Sequence, residues 1–121
     1  MKVAVMQRTL SQRQLIIPLW EHMSNLNEID PQKPVVPHVL KGVHTLELVA
    51  LCCEGGMVDD RVIKRTFRDA FIQLYDAISR CPEMPELRKS GPDILRENRA
   101  AMRFYEELRK EHIERDQVHR L

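Results

Sequence analysis

The chain has 121 residues, 43% of them apolar and 31% charged, which is the size and balance of one ordinary globular domain able to bury a core without staples. Nineteen Lys and Arg against eighteen Asp and Glu leave a formal charge of +1, which argues against a chain built chiefly to neutralise a nucleic-acid backbone. Three cysteines, Cys52, Cys53 and Cys81, make an odd set with an adjacent pair, which excludes a regular disulfide framework and points to a reducing compartment.

Aromatic residues are scarce, and Leu, Arg, Glu, Met and Ala are frequent, so helix is favoured over sheet. Residues 1–10 carry no strong pattern and read as a loose tail or a first turn. A first helix is expected beyond Ser11, with Ile16, Leu19, Trp20, Met23 and Leu26 at helical spacing. Pro18 either kinks that helix or opens a shorter one; the opening position loses no hydrogen bond and is preferred.

Pro31, Pro34 and Pro37 make residues 27–37 a stiff connection, with Pro37 opening helix two. Leu40, Val43, Leu46, Val49, Ala50, Leu51 and Cys53 cover more than one face of that helix, which predicts a central, largely buried element. Gly55-Gly56 stops it, because glycine accepts the left-handed conformation at little cost. Asp59 or Asp60 then caps helix three. Val62 or Ile63, Phe67, Ala70, Phe71, Leu74 and Ile78 form its apolar stripe. Two helices joined by a tight glycine turn are expected to fold back as an antiparallel hairpin.

Pro82 and Pro85 end helix three, and residues 86–89 fit one further turn. Ser90-Gly91-Pro92 opens the last helix, with Pro92 at its first position and Asp93 near the positive end of the dipole. Its stripe is Ile94 or Leu95, Ala101, Met102, Tyr105 and Leu108. Beyond Leu108 the charges alternate, with Glu106–Lys110 and Glu111–Arg115 at four-residue spacing, which predicts a solvated, fraying end at residues 110–121. The fold class is therefore all-α. The expected architecture is a single domain over residues 1–121, a small three- to four-helix bundle around a central hairpin. Leu46, Ala50, Phe67, Phe71, Leu74, Met102 and Tyr105 are expected to share its core.

Catalytic and metal-binding signals are weak. His22, His38, His44, His112 and His119 form no ligand motif. Cys52 and Cys53 point about 100° apart on a helix, so they do not easily share a metal or a base. Gly55-Gly56 lacks a phosphate-binding lysine and is followed by Asp59 and Asp60, which repel phosphate. No catalytic residue, cofactor site, metal or disulfide is expected, and the chain reads as a non-enzyme. Glu47, inside the apolar run Leu46–Leu51, needs a partner, because a lone buried carboxylate is costly. A salt bridge or hydrogen bond into the bundle is expected, with Arg99 or Arg103 as candidates.

Two basic stripes stand out: Arg61, Lys64, Arg65 and Arg68 on helix three, and Arg96, Arg99 and Arg103 on the last helix. Acids are interspersed and no aromatic is interleaved, so much of each stripe reads as a solvated face. A part left unpaired by Glu47, Asp69 and Glu97 is the candidate surface for an acidic partner, most simply a protein.

The pattern Leu46-Glu47-Leu48-Val49-Ala50-Leu51, Gly55-Gly56, Val58-Asp59, Phe67, Tyr75 and Phe104-Tyr105-Glu106-Glu107-Leu108 resembles a family of uncharacterised bacterial and phage-associated helical domains, over roughly residues 40–108. That family carries no established activity. Many members place the domain after a membrane anchor, whereas no apolar stretch here approaches the roughly 20 residues that cross a bilayer, and the N-terminus lacks a secretory h-region. The resemblance implies a small bacterial, phage- or prophage-encoded accessory protein that modulates a host protein. The expected location is the cytoplasm, without membrane contact. A nucleic-acid-associated regulator using the basic faces is the alternative, and homo-oligomerisation stays open.

Overall fold

The computed structural model describes the backbone of residues 14–120 and the side chains of residues 14–111. The described chain is all-α, with six helices. Helix α1 covers residues 14–24, α2 is Val36–Glu54, α3 Asp60–Thr66, α4 Arg68–Ser79, α5 Gly91–Glu97 and α6 Arg99–Arg120. The helices pack around α2, which meets α6 most extensively and also touches α3, α4 and α5.

Local chemistry explains most boundaries. Pro37 lies in the first turn of α2, where its missing N–H leaves no bond unmade. At the other end Gly56 sits at φ 68°. The Met57 N–H donates to the Cys52 carbonyl at 2.9 Å and the Gly56 N–H to the Cys53 carbonyl at 3.2 Å, which is a Schellman cap. Asp59 caps α3 by accepting the Arg61 N–H at 3.0 Å. Ser90 and Asp93 form a reciprocal capping box on α5. Residues 84–89 form a turn closed by an antiparallel bridge between Met84 and Lys89.

Several expectations are corrected. Pro18 lies inside α1 rather than at its start, and it faces solvent, where water can satisfy the carbonyl it leaves unbonded. Only Leu19 of α1 is fully buried, and Trp20 is 55% exposed. Helix three divides at Phe67, just after Thr66, whose hydroxyl bonds back to the Val62 carbonyl at 2.8 Å; such back-bonding bends helices. The last helix divides at Asn98, whose side-chain amide donates to the Ile94 carbonyl at 2.8 Å. That break resets the helical register. Ala100, Ala101, Phe104 and Leu108 are the buried stripe of α6, and Met102 lies outside the core. By length and composition α2 does reach spanning size, with 19 residues and a window of mean hydropathy 1.2, although 44% of that window is buried within the fold.

Leu46, Ala50, Phe67 and Phe71 belong to the core, and Leu74 and Tyr105 pack against it. Phe71 meets Phe104 edge-on at 5.0 Å, and the Tyr75 and Tyr105 rings stack at 3.9 Å.

Candidate functional site

Most of the seven basic residues are engaged within the chain. Arg61 pairs with Asp59, two residues earlier, at 3.3 Å. Arg96 pairs with Asp93 one turn earlier on α5. Arg103 forks onto Glu54 with bonds of 2.9 and 3.1 Å, which ties α6 to the end of α2. The Arg68 guanidinium donates to the Leu108 carbonyl at 3.3 Å.

Lys64 is largely enclosed, with 16% of its side chain exposed. Its ammonium reaches Glu107 at 2.7 Å, Glu111 at 2.9 Å and Asp60 at 3.5 Å, so it fastens α3 to α6. Burial alone would lower its pKa, but the hydrogen bonds and charges of Glu107 and Glu111 outweigh burial and raise it. Glu111 meets Lys64 across the helices, while Arg115, its expected partner along its own helix, lies outside the described side chains.

Arg65 and Arg99 are exposed and have no ion-pair partner among the described residues. Two of the three acids expected as screens act elsewhere: Glu97 pairs with Lys89 at 2.6 Å, and Glu47 accepts the Ala101 backbone N–H at 2.9 Å. Glu47 thus finds its hydrogen bond in the last helix, but with backbone rather than with Arg99 or Arg103.

The sequence reading missed a different surface. Lys41, His44, Leu48 and Leu51 recur at three- and four-residue spacing and form the solvent face of α2. Leu48 is 44% and Leu51 51% exposed, and Met57, in the turn that follows, is 52% exposed. The signal was present in the spacing of Lys41 and His44. The even apolarity of the helix hid it.

The Cys53 thiol is pushed up to about 12 by burial, with the Asp60 charge adding to the effect, so thiolate is scarce at neutral pH. Burial also raises Cys52 and Cys81. His22 and His44 are exposed, His38 is half-buried, and His112 and His119 lie outside the described side chains. Among the described residues no three His, Cys, Asp or Glu are grouped to hold a metal ion. Nor does any buried side-chain polar atom there lack a hydrogen-bond partner. No family model, curated protein or solved structure matches the chain.

Proposed function

We propose that this chain is a non-enzymatic protein-interaction module that contacts its partner through the solvent face of α2. The observation that carries this reading is the exposure of Leu48 and Leu51 on one helical face, continued by Met57. Neighbouring large apolar side chains left in water favour association, since covering them releases their hydration. Lys41 and His44 extend the same face towards the helix start, so a segment with apolar side chains flanked by acids complements it. Of the seven basic residues, Arg65 and Arg99 are exposed without an ion-pair partner among the described residues and are available for acidic contacts. We also read α2 and the α3–α4 segment as an antiparallel hairpin, supported by the Schellman cap at Gly56 and by the packing of α4 on α2. An accessory protein acting on another protein of its cell or phage fits this reading.

The nucleic-acid alternative is less favoured, because four of the seven basic residues are neutralised within the chain. The test is affinity capture from cell lysate with wild type and the Leu48→Asp/Leu51→Asp variant side by side. The reading expects a partner that the variant loses and that the surface control Glu83→Gln retains. Equal capture by all three proteins removes α2 as the contact face. Steeply salt-dependent binding of mixed-sequence nucleic acid would instead favour the alternative.

A further inference from the structure

A second surface feature lies away from the Leu48–Leu51 face. The outer side of α4 and the segment that follows α1 enclose a groove of about 410 Å³. Met23, Leu26, Leu74 and Ala77 give it apolar walls, and Glu28 and Arg80 line it with opposite charges. Asn27 and Gln73 add side-chain amides. The small side chain of Ala77, one turn before Arg80, leaves room on the α4 side.

The two charges do not satisfy each other. Neither Glu28 nor Arg80 has an ion-pair partner among the described residues. Asp30, the acid nearest in sequence to Glu28, accepts the Gln32 backbone N–H at 3.0 Å. The groove thus offers a carboxylate, a guanidinium and an apolar surface together, within the volume range of small-molecule sites. A ligand that complements all three carries an ammonium for Glu28, a carboxylate for Arg80 and an aliphatic side chain for Met23 and Leu74. Nucleotides fit poorly, because several negative charges would meet one cation and one acid. A fatty acid leaves Glu28 without a counter-charge.

We propose that this groove binds a small aliphatic zwitterion, either an α-amino acid with a large side chain or a dipeptide of such residues. Arg80 holds the carboxylate through its planar donor pair, and Glu28 holds the ammonium. The ligand's side chain takes the place of water against the apolar wall.

The test is amide-shift mapping of the full chain titrated with leucine and, separately, with leucyl-leucine. Saturable shifts confined to the backbone around Asn27–Ile29 and Gln73–Arg80 are expected with at least one of them, and the tighter of the two identifies the source. N-acetyl-leucine, which lacks the ammonium, and leucinamide, which lacks the carboxylate, should each bind about tenfold more weakly. Glu28→Gln and Arg80→Gln should weaken the zwitterion by a similar factor, while their unchanged melting curves show that both fold. Glu28→Gln should leave the weak N-acetyl-leucine binding unaltered. No saturable shift up to the solubility of either probe overturns the proposal, as does N-acetyl-leucine binding as tightly as leucine. The Leu48→Asp/Leu51→Asp variant should bind the zwitterion normally, so failure of the α2 reading and failure of this one are separable.

Discussion

The carboxylate of Glu47, in the middle of an otherwise apolar run of α2, accepts the backbone N–H of Ala101 at 2.9 Å. Ala101 is the third residue of α6, so its N–H is one of the donors a helix start cannot satisfy internally. Glu47 caps that start from another helix, and its charge sits at the positive end of the α6 dipole. Glu47→Leu should therefore cost about 1–2 kcal/mol in urea unfolding. Glu47→Gln keeps an acceptor oxygen and should cost less than half as much. Equal losses for the two variants would mean that a neutral acceptor is worth nothing here and that the charge alone carries the cap.

Signals decided by near neighbours were legible in the sequence. The Gly55–Gly56 stop, the Asp59 cap and the Ser90 start each depend on side chains within three or four residues of the backbone they serve. The breaks at Phe67 and Asn98 were not legible, because the apolar spacing runs through both without interruption. Once α6 starts afresh at Arg99, Phe104 replaces Met102 as the inward residue. The pairing of the basic residues was equally hidden. Lys64 meets Glu107 and Glu111 across more than forty positions, and Arg103 meets Glu54 across a similar span. Charge periodicity along one helix cannot report contacts made between helices.

The close approach of α5 to the end of α4 gives a sharp prediction. A Cβ placed on Gly91 would lie 1.7 Å from the Ile78 carbonyl oxygen, a backbone atom that cannot swing aside. The Gly91 N–H also donates to the Cys81 carbonyl at 3.1 Å, which fixes its position. Gly91→Ala should destabilise the fold by about 3 kcal/mol or more. Gly42→Ala is the control. Its Cβ would meet the flexible side-chain ends of Ile29, Leu74 and Ile78 at 3.4–3.5 Å, and alanine favours helix, so its change should stay within about 1 kcal/mol. Urea midpoints for the two variants separate them, and similar values would mean that α5 does not sit this close.

The register of α6 can be tested with two side chains. Phe71 is fully buried and meets Phe104 edge-on, so Phe71→Ala should cost about 3–5 kcal/mol. Met102 lies outside the core, and Met102→Ala should cost less than about 1 kcal/mol. A large loss at Met102 together with a small one at Phe71 would turn α6 by about one residue.

Alkaline pH should destabilise the fold, because several groups are held in their protonated form. The Tyr105 phenol is pushed up to about 12 by burial and by the hydrogen bond it donates to Asp76. Burial also raises Tyr75, and the carboxylates around Lys64 raise its ammonium. For each group the folded pKa exceeds the unfolded one, so the folded chain binds more protons as pH rises between the two values. Their stabilisation is complete below the unfolded tyrosine value of about 10. For Tyr105 it is lost as pH rises through the folded value of about 12. Urea midpoints should therefore fall across that window. The fall should be shallower in Tyr105→Phe, which has no phenol to ionise, although that variant starts from lower stability after losing the bond to Asp76. The ultraviolet absorbance of tyrosinate should show ionisation delayed in the folded chain and ordinary in urea. Two tyrosines that titrate natively near 10 would contradict the packing of Tyr75 on Tyr105.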